Sequence, residues 1–217
     1  VPLIELMTAN PKAAAVGSQL FEPDGTPTGS AFRFPSIGRE FLRGVRTPFV
    51  GRLLGIQPTP ISSDTACRAD WVTGAAVLLR NRALRETGPF DDGFFLYFEE
   101  VDLMNRLAAA GWEVWHQPTS HVMHIGGAAT GVTGKRTQSP RRQPAYWFVS
   151  RRRYFALNLG PLRTWLAGAA WISGHALWRV RTWLRLGDAR SDIPCERRDL
   201  LDHGLSPSPV DLSRNVP

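Results

Sequence analysis

The stretch Gly88-Pro89-Phe90-Asp91-Asp92-Gly93-Phe94-Phe95-Leu96-Tyr97-Phe98-Glu99-Glu100-Val101-Asp102-Leu103 decides how this chain is read. A run of aromatics, Phe94, Phe95, Tyr97 and Phe98, leads straight into an acidic cluster, Glu99, Glu100 and Asp102. From Glu99 onward Leu103, Leu107 and Ala110 share one helical face, and Gly111 stops the helix. Three carboxylates therefore crowd the first turn, where the helix dipole favours negative charge. A helix start beside strand ends is also where open α/β sheets place their ligands. Carboxylates so close repel, so either one is a base with a raised pKa or they share a cation. The bland alternative is a solvated, well-capped helix start, with Asp102 and Arg106 simply paired four residues apart. The apolar approach argues against that alternative.

Working outward, strands and helices alternate, which makes the body α/β. Upstream, residues 71–79 form an apolar run fit for a buried strand, and residues 82–87 a short helix capped by Gly88. Residues 3–10 close a helix at Asn10-Pro11, residues 14–21 read as a strand, and Pro23-Asp24-Gly25 is a turn. Residues 26–66, rich in Pro, Gly, Ser and Thr, read as a long loop with helical pieces near 39–42. Downstream, residues 112–117 read as a strand closed by Pro118, and residues 122–125 as a second extended piece. Residues 128–145 are polar, the chain turns helical, aromatic and basic from Tyr146, and its composition is Pro-rich from Ser206.

The chain has 217 residues, 43% hydrophobic and 21% charged, a globular composition. Two cysteines, Cys67 and Cys195, exclude a disulfide scaffold and a cysteine-rich zinc module. No apolar run reaches the roughly 20 residues that span a bilayer, and no signal peptide opens the sequence. The chain starts at Val1 rather than Met, as a fragment would. Its net charge is +7, unevenly placed. Residues 1–124 hold 11 basic and 13 acidic groups, residues 125–217 hold 15 and 6, and no acid lies between Lys135 and Arg185. Such asymmetry points to an anionic partner, membrane or nucleic acid.

The segments 70–75, 88–103 and then Arg106, Gly111, Pro118 and His124, in this order and at these spacings, resemble family 2 glycosyltransferases of the bacterial rhamnosyltransferase-like branch. The similarity covers residues 3–125, and residues 144–155 match more loosely. The resemblance implies the C-terminal part of a GT-A fold, an enzyme that inverts the sugar's anomeric centre, and a nucleotide-sugar donor (a UDP- or dTDP-sugar) held by a divalent cation, Mg or Mn. It implies a glycan or polyprenyl-diphosphate-linked acceptor. Relatives place an Asp at the general-base position; this chain has Glu100, whose carboxylate sits one methylene further out. Glu99 and Asp102 are the other candidates for that task. By the same resemblance Trp71, Gly74 and Asp102 lie near the acceptor, and His124 is the metal ligand. His116 and His121 read as structural residues. The donor half and its Asp-x-Asp motif are expected upstream of Val1, so the isolated chain is expected to show little or no transferase activity.

Two parts are expected: residues 1–158, the acceptor side of the transferase domain, and residues 159–217, a helical, Trp- and Arg-rich tail. Residues 161–186 set Trp165, Trp171, Trp178 and Trp183 among aliphatic residues, with Arg179, Arg181 and Arg185 at one end. That composition suits an interfacial helix against anionic lipid, which places the protein in the cytoplasm, peripheral on the inner face of the plasma membrane. The alternative is a helix packed on the body with its Arg face in water. A non-catalytic glycan- or membrane-binding remnant is the rival functional class. Arg151-Arg152-Arg153 beside Tyr154 and Phe155 suggests nucleic acid, but no recognition motif accompanies it, so no nucleic-acid partner is expected.

Overall fold

The computed structural model describes residues 2–125, 142–186, 192–205 and 213. The first half runs α1 (Pro2–Ala9), β1 (Ala13–Phe21), β2 (Ala31–Phe32), α2 (Ile37–Val45), α3 (Pro48–Leu53), β3 (Pro60–Ile61) and β4 (Cys67–Ala69). There follow β5 (Trp71–Val72), β6 (Val77–Leu79), α4 (Asn81–Thr87), α5 (Glu99–Ala109), β7 (Glu113–Met123), α6 (Ala145–Leu159), α7 (Pro161–Trp183) and α8 (Glu196–Asp199). The main sheet has the order β4-β7-β1-β6 and a small antiparallel sheet the order β3-β2-β5. Only β1 and β7 are parallel; β4 and β6 run against them on the two edges. The fold is α/β as expected, and its core lies between the sheet (Ala14, Ala15, Val114) and α5 (Leu103, Met104, Leu107).

Two strand readings change. The run 71–79 is broken by a turn of 3-10 helix, Gly74–Ala76, so that Trp71-Val72 joins the small sheet and Val77–Leu79 the main one. Gly17 of β1 permits this, because a Cβ there would lie 2.6 Å from the Cβ of Val72. Pro118 does not end its strand. The β1–β7 register jumps from Ser18↔Gln117 to Gln19↔His121. A bulge at residues 118–120 absorbs the missing N–H, and one strand continues through both expected pieces.

The stretch expected to be a long loop holds α2, α3 and two short strands. Ser36 caps α2, its side chain accepting from the Arg39 N–H. The buried residues of α2 are Glu40, Gly44 and Val45. It crosses α7 at two glycines. A Cβ on Gly44 would strike the Trp171 carbonyl oxygen, and one on Gly174 the Phe41 carbonyl oxygen. The first helix of the expected tail is thus packed into the body.

The basic excess of the C-terminal half is partly neutralised inside the molecule. Fully buried Arg151 pairs with Glu40 at 2.7 Å, buried Arg153 with Asp91 at 2.9 Å, and Arg142 with Asp199 at 2.7 Å. The Arg151-Arg152-Arg153 run is therefore not a surface cluster. Among the described residues no helix is long and apolar enough to cross a membrane. Residues 126–141 and most of those after Leu205 lie outside the described residues, and with them the polar connection and the Pro-rich end.

Candidate active site

The approach to α5 is strained. Tyr97 and Phe98 have φ of 67° and 69°, consecutive left-handed conformations without glycine. Each costs on the order of 1–3 kcal/mol and persists only where surroundings enforce it. Here α6 enforces it. Tyr97 stacks on Tyr146 (6.0 Å between ring centroids), and Phe98 packs against Trp147 and Tyr154 at 5.5 and 5.7 Å. Phe98 occupies the N-cap and offers no capping side chain, so a well-capped surface helix is not what forms.

This turn delivers Glu100 to Gly74, where a Cβ would stand 3.7 Å from the Cβ of Glu100. Burial, with a smaller contribution from the Glu99 charge, pushes the Glu100 carboxyl up to about 7, although the N–H groups of Glu100, Gly74 and Val101 pull the other way. Burial also raises Glu99. One carboxyl oxygen of each, Oε2, is buried without a hydrogen-bond partner among the described residues. Asp102 contrasts with both. Wholly buried, it accepts from Arg106 Nε at 2.9 Å through Oδ2 and from Asn158 Nδ2 at 3.0 Å through Oδ1. Arg106 in turn donates to the carbonyls of Thr87 and Pro89, both at 2.6 Å. Asp102, expected to share the acid–base and acceptor-binding tasks, is thus buried and paired, and it does not line the cavity beside Glu100.

Glu100 and Trp71 share the wall of one cavity of about 670 Å³. Trp71 is fixed by an indole N–H bond to the Arg33 carbonyl (3.1 Å) and by stacking on Phe32 at 4.2 Å. The structure thus brings Glu100, Trp71 and Gly74 together, with Glu99 adjacent. His124 is exposed at the end of β7, its backbone N–H on the Phe21 carbonyl, and is not part of this wall. Among the described residues no three His, Cys, Asp or Glu side chains converge on a point that would hold a metal. These residues therefore do not fit the divalent cation expected, and His124, the ligand the resemblance implied for it, lies outside the wall that holds Glu100. His116 is buried with its pKa lowered by burial, and His121 packs edge-on against Phe21 at 4.8 Å.

Sequence reasoning missed the arginines. Arg39, Arg43, Arg46 and Arg52 line the same cavity from α2 and α3. Arg43 lies over Trp147 and Trp171 at 5.1 and 5.3 Å while bonded to Glu40 and Glu196. The reading placed only a helical piece near 39–42 in a long loop, and so did not group them.

No family model matches the chain. In sequence it is similar, at 30% identity over 193 residues, to N-acetylglucosaminyl-diphospho-decaprenol L-rhamnosyltransferase of Mycobacterium tuberculosis (strains CDC 1551 and H37Rv), with 84% of this chain and 59% of the relative covered. A second relative is rhamnosyltransferase WbbL of Escherichia coli K12, 36% identical over 80 residues, covering 35% of this chain and 30% of that one. The chain spans about 59% of the length of the longer-matching relatives. Among solved structures it is similar to GalNAc-T7 with UDP, GalNAc and Mn2+, at TM-score 0.47 and 12% identity, covering 93% of this chain and 34% of that one. With the acidic turn, Trp71 and Gly74 gathered as in the sequence pattern, the chain is a relative of the bacterial rhamnosyltransferases, of the rhamnosyltransferase-like family 2 glycosyltransferase kind.

Proposed function

We propose that this chain carries the acceptor side of an inverting glycosyltransferase, with Glu100 as general base, that moves a sugar of the rhamnose class from a UDP- or dTDP-sugar to a glycan acceptor on a polyprenyl diphosphate. The observation that carries the reading is a buried carboxyl held up to about 7, with one unpartnered oxygen, on the wall of a cavity shared with Trp71. A general base works best with a pKa near the operating pH. The names of the relatives support the sugar and the acceptor class. In the step proposed, an acceptor hydroxyl oxygen attacks the anomeric carbon, and its proton passes to Glu100. The bond from that carbon to the diphosphate oxygen breaks, and the nucleoside diphosphate leaves with the electron pair. One displacement inverts the centre.

The test uses the complete open reading frame, a dTDP-sugar donor and an N-acetylglucosaminyl-diphospho-prenol acceptor. Glu100→Gln is expected to lower kcat by about 10²–10⁴ with acceptor KM little changed. Transfer at the unsubstituted rate by that variant would overturn the reading.

The proposal extends to location: the protein rests on the inner face of the plasma membrane through the outer face of α7. Support comes from Leu162, Trp165, Leu177, Val180, Trp183 and Leu184, which recur on one helical stripe and are 40–81% exposed. Arg163 and Arg179 flank the stripe in solvent.

A further inference from the structure

We infer that the cavity beside Glu100 is a diphosphate-ester site whose occupant is a prenyl diphosphate, its phosphates on Arg39 and Arg52 and its hydrocarbon along Leu42, Ile56 and Pro58. The volume, about 670 Å³, suits a ligand of this size, since small-molecule pockets run roughly 300–1,000 Å³.

The charge comes first. Four guanidinium groups share the wall with two carboxylates, Glu40 and Glu100. Glu40 is already engaged by Arg43 and by buried Arg151, and Arg43 and Arg46 both bond Glu196. Arg39 and Arg52 are different. Arg39 is half-buried and donates only to carbonyls, Phe34 at 2.9 Å and Gln57 at 3.3 Å. Burial lowers its pKa, and the attraction of the Asp70 carboxylate only partly offsets it. The side chain of Arg52 is exposed and makes no hydrogen bond or ion pair among the described residues. Two guanidinium forks with no ion pair among the described residues, at the wall of one cavity, match phosphate oxygens in geometry and sign.

The rest of the wall chooses between diphosphates. Leu42, Ile56, Pro48, Pro58 and Trp147 are apolar or nearly so, and a nucleoside would set its hydroxyls and polar base edges against them. A prenyl chain would not. At α3 the apolar surface continues outward: Pro48 and Gly51 line the cavity, while Phe49 and Leu53 are 70% and 73% exposed. A hydrocarbon too long for the cavity has an apolar ledge to follow as it leaves. The inference rests on the transferase reading for the sugar attached to that diphosphate, and not for the binding chemistry itself.

The experiment titrates the protein with farnesyl diphosphate, dTDP, UDP, inorganic pyrophosphate and farnesol, following the fluorescence of Trp71 and Trp147, both in the wall. Farnesyl diphosphate is expected to bind most tightly, with pyrophosphate and farnesol each weaker by about tenfold or more, and Arg52→Gln and Arg39→Gln each weakening it about tenfold. The Arg52 side chain bonds nothing among the described residues, so its variant is expected to keep the wild-type melting temperature and isolates the charge; Arg39→Lys covers the case in which Arg39→Gln disturbs its two carbonyls. Unchanged affinity in Arg52→Gln overturns the anion site, as does farnesol binding as tightly as its diphosphate or no binding by any probe. Tighter binding of dTDP or UDP with the same arginine dependence gives the site to the donor and overturns the lipid. The two readings fail separately. Glu100→Gln should abolish transfer yet keep farnesyl diphosphate binding. Retained transfer in that variant sinks the base and leaves the subsite standing, while lost transfer beside arginine-independent binding does the reverse.

Discussion

Glu100 and Asp102 stand two residues apart on one helical turn and meet opposite fates. Every oxygen of Asp102 is engaged, by Arg106 and by Asn158, so its charge is compensated where it is buried. Removing one partner of such a pair strands the other, and Asp102→Ala is expected to cost about 3–5 kcal/mol in a denaturant melt. A stability close to wild type would show that Arg106 finds another acceptor. Glu100 has no counter-ion among the described residues, and its carboxyl is raised from 4.5 to about 7. The folded state therefore holds a proton that the unfolded state has released. Stability falls as pH rises from about 4.5 to about 7 and is level above. Glu100→Gln is expected to stabilise the protein at pH 8 by up to about 3 kcal/mol and to change little at pH 4, read by thermal melts at both. The same shift makes kcat/KM climb with pH and reach a plateau above about 7, because the base must be deprotonated to act. A pH-independent kcat/KM between 5 and 9 would sink that assignment.

At the scale of elements, α5 was legible because its apolar period, its carboxylate-rich first turn and its glycine stop all lie within its own residues. The left-handed pair Tyr97 and Phe98 was not, because nothing local favours two such residues in succession; rings from α6 impose them. Helix α2 was read only as a helical piece near 39–42, and its inward face is Glu40, Gly44 and Val45 rather than an aliphatic stripe. What holds it is the crossing with α7, where backbones approach through Gly44 and Gly174. Gly174→Ala puts a methyl against the Phe41 carbonyl and is expected to lower stability by about 1–3 kcal/mol. Since α2 carries Arg39 and Arg43, the same change should blunt cavity binding; an unaltered melt would mean that the helices separate without penalty.

Over the whole molecule, α7 has two apolar faces. The inner one, with Trp171, His175 and Trp178, is buried in the body; the outer one is open. Deleting residues 161–217 would therefore unmake the fold along with any lipid contact. Point changes are the sound test. The combined variant Leu162→Gln, Trp165→Gln, Val180→Gln and Trp183→Gln is expected to melt like wild type and to stop floating with phosphatidylglycerol vesicles. Flotation undiminished in that variant ends the membrane assignment. The arrangement also accounts for the arginine excess near the C-terminus: part of it, Arg142, Arg151 and Arg153, is spent on Asp199, Glu40 and Asp91.

The sequence by itself determined that an acidic turn opens a helix after an aromatic approach, that the body alternates strand and helix, and that the pattern is that of a glycosyltransferase. Those are properties of neighbours along the chain: period, cap and spacing. Only the tertiary structure decided which carboxylate is paired, Asp102, and which is left free of a counter-ion among the described residues, Glu100. It also gathered four arginines and Trp71 around the free one. Burial, pairing and the local field come from groups such as Asn158 and Gly74, dozens of residues from the turn they act on, and no local pattern encodes their approach.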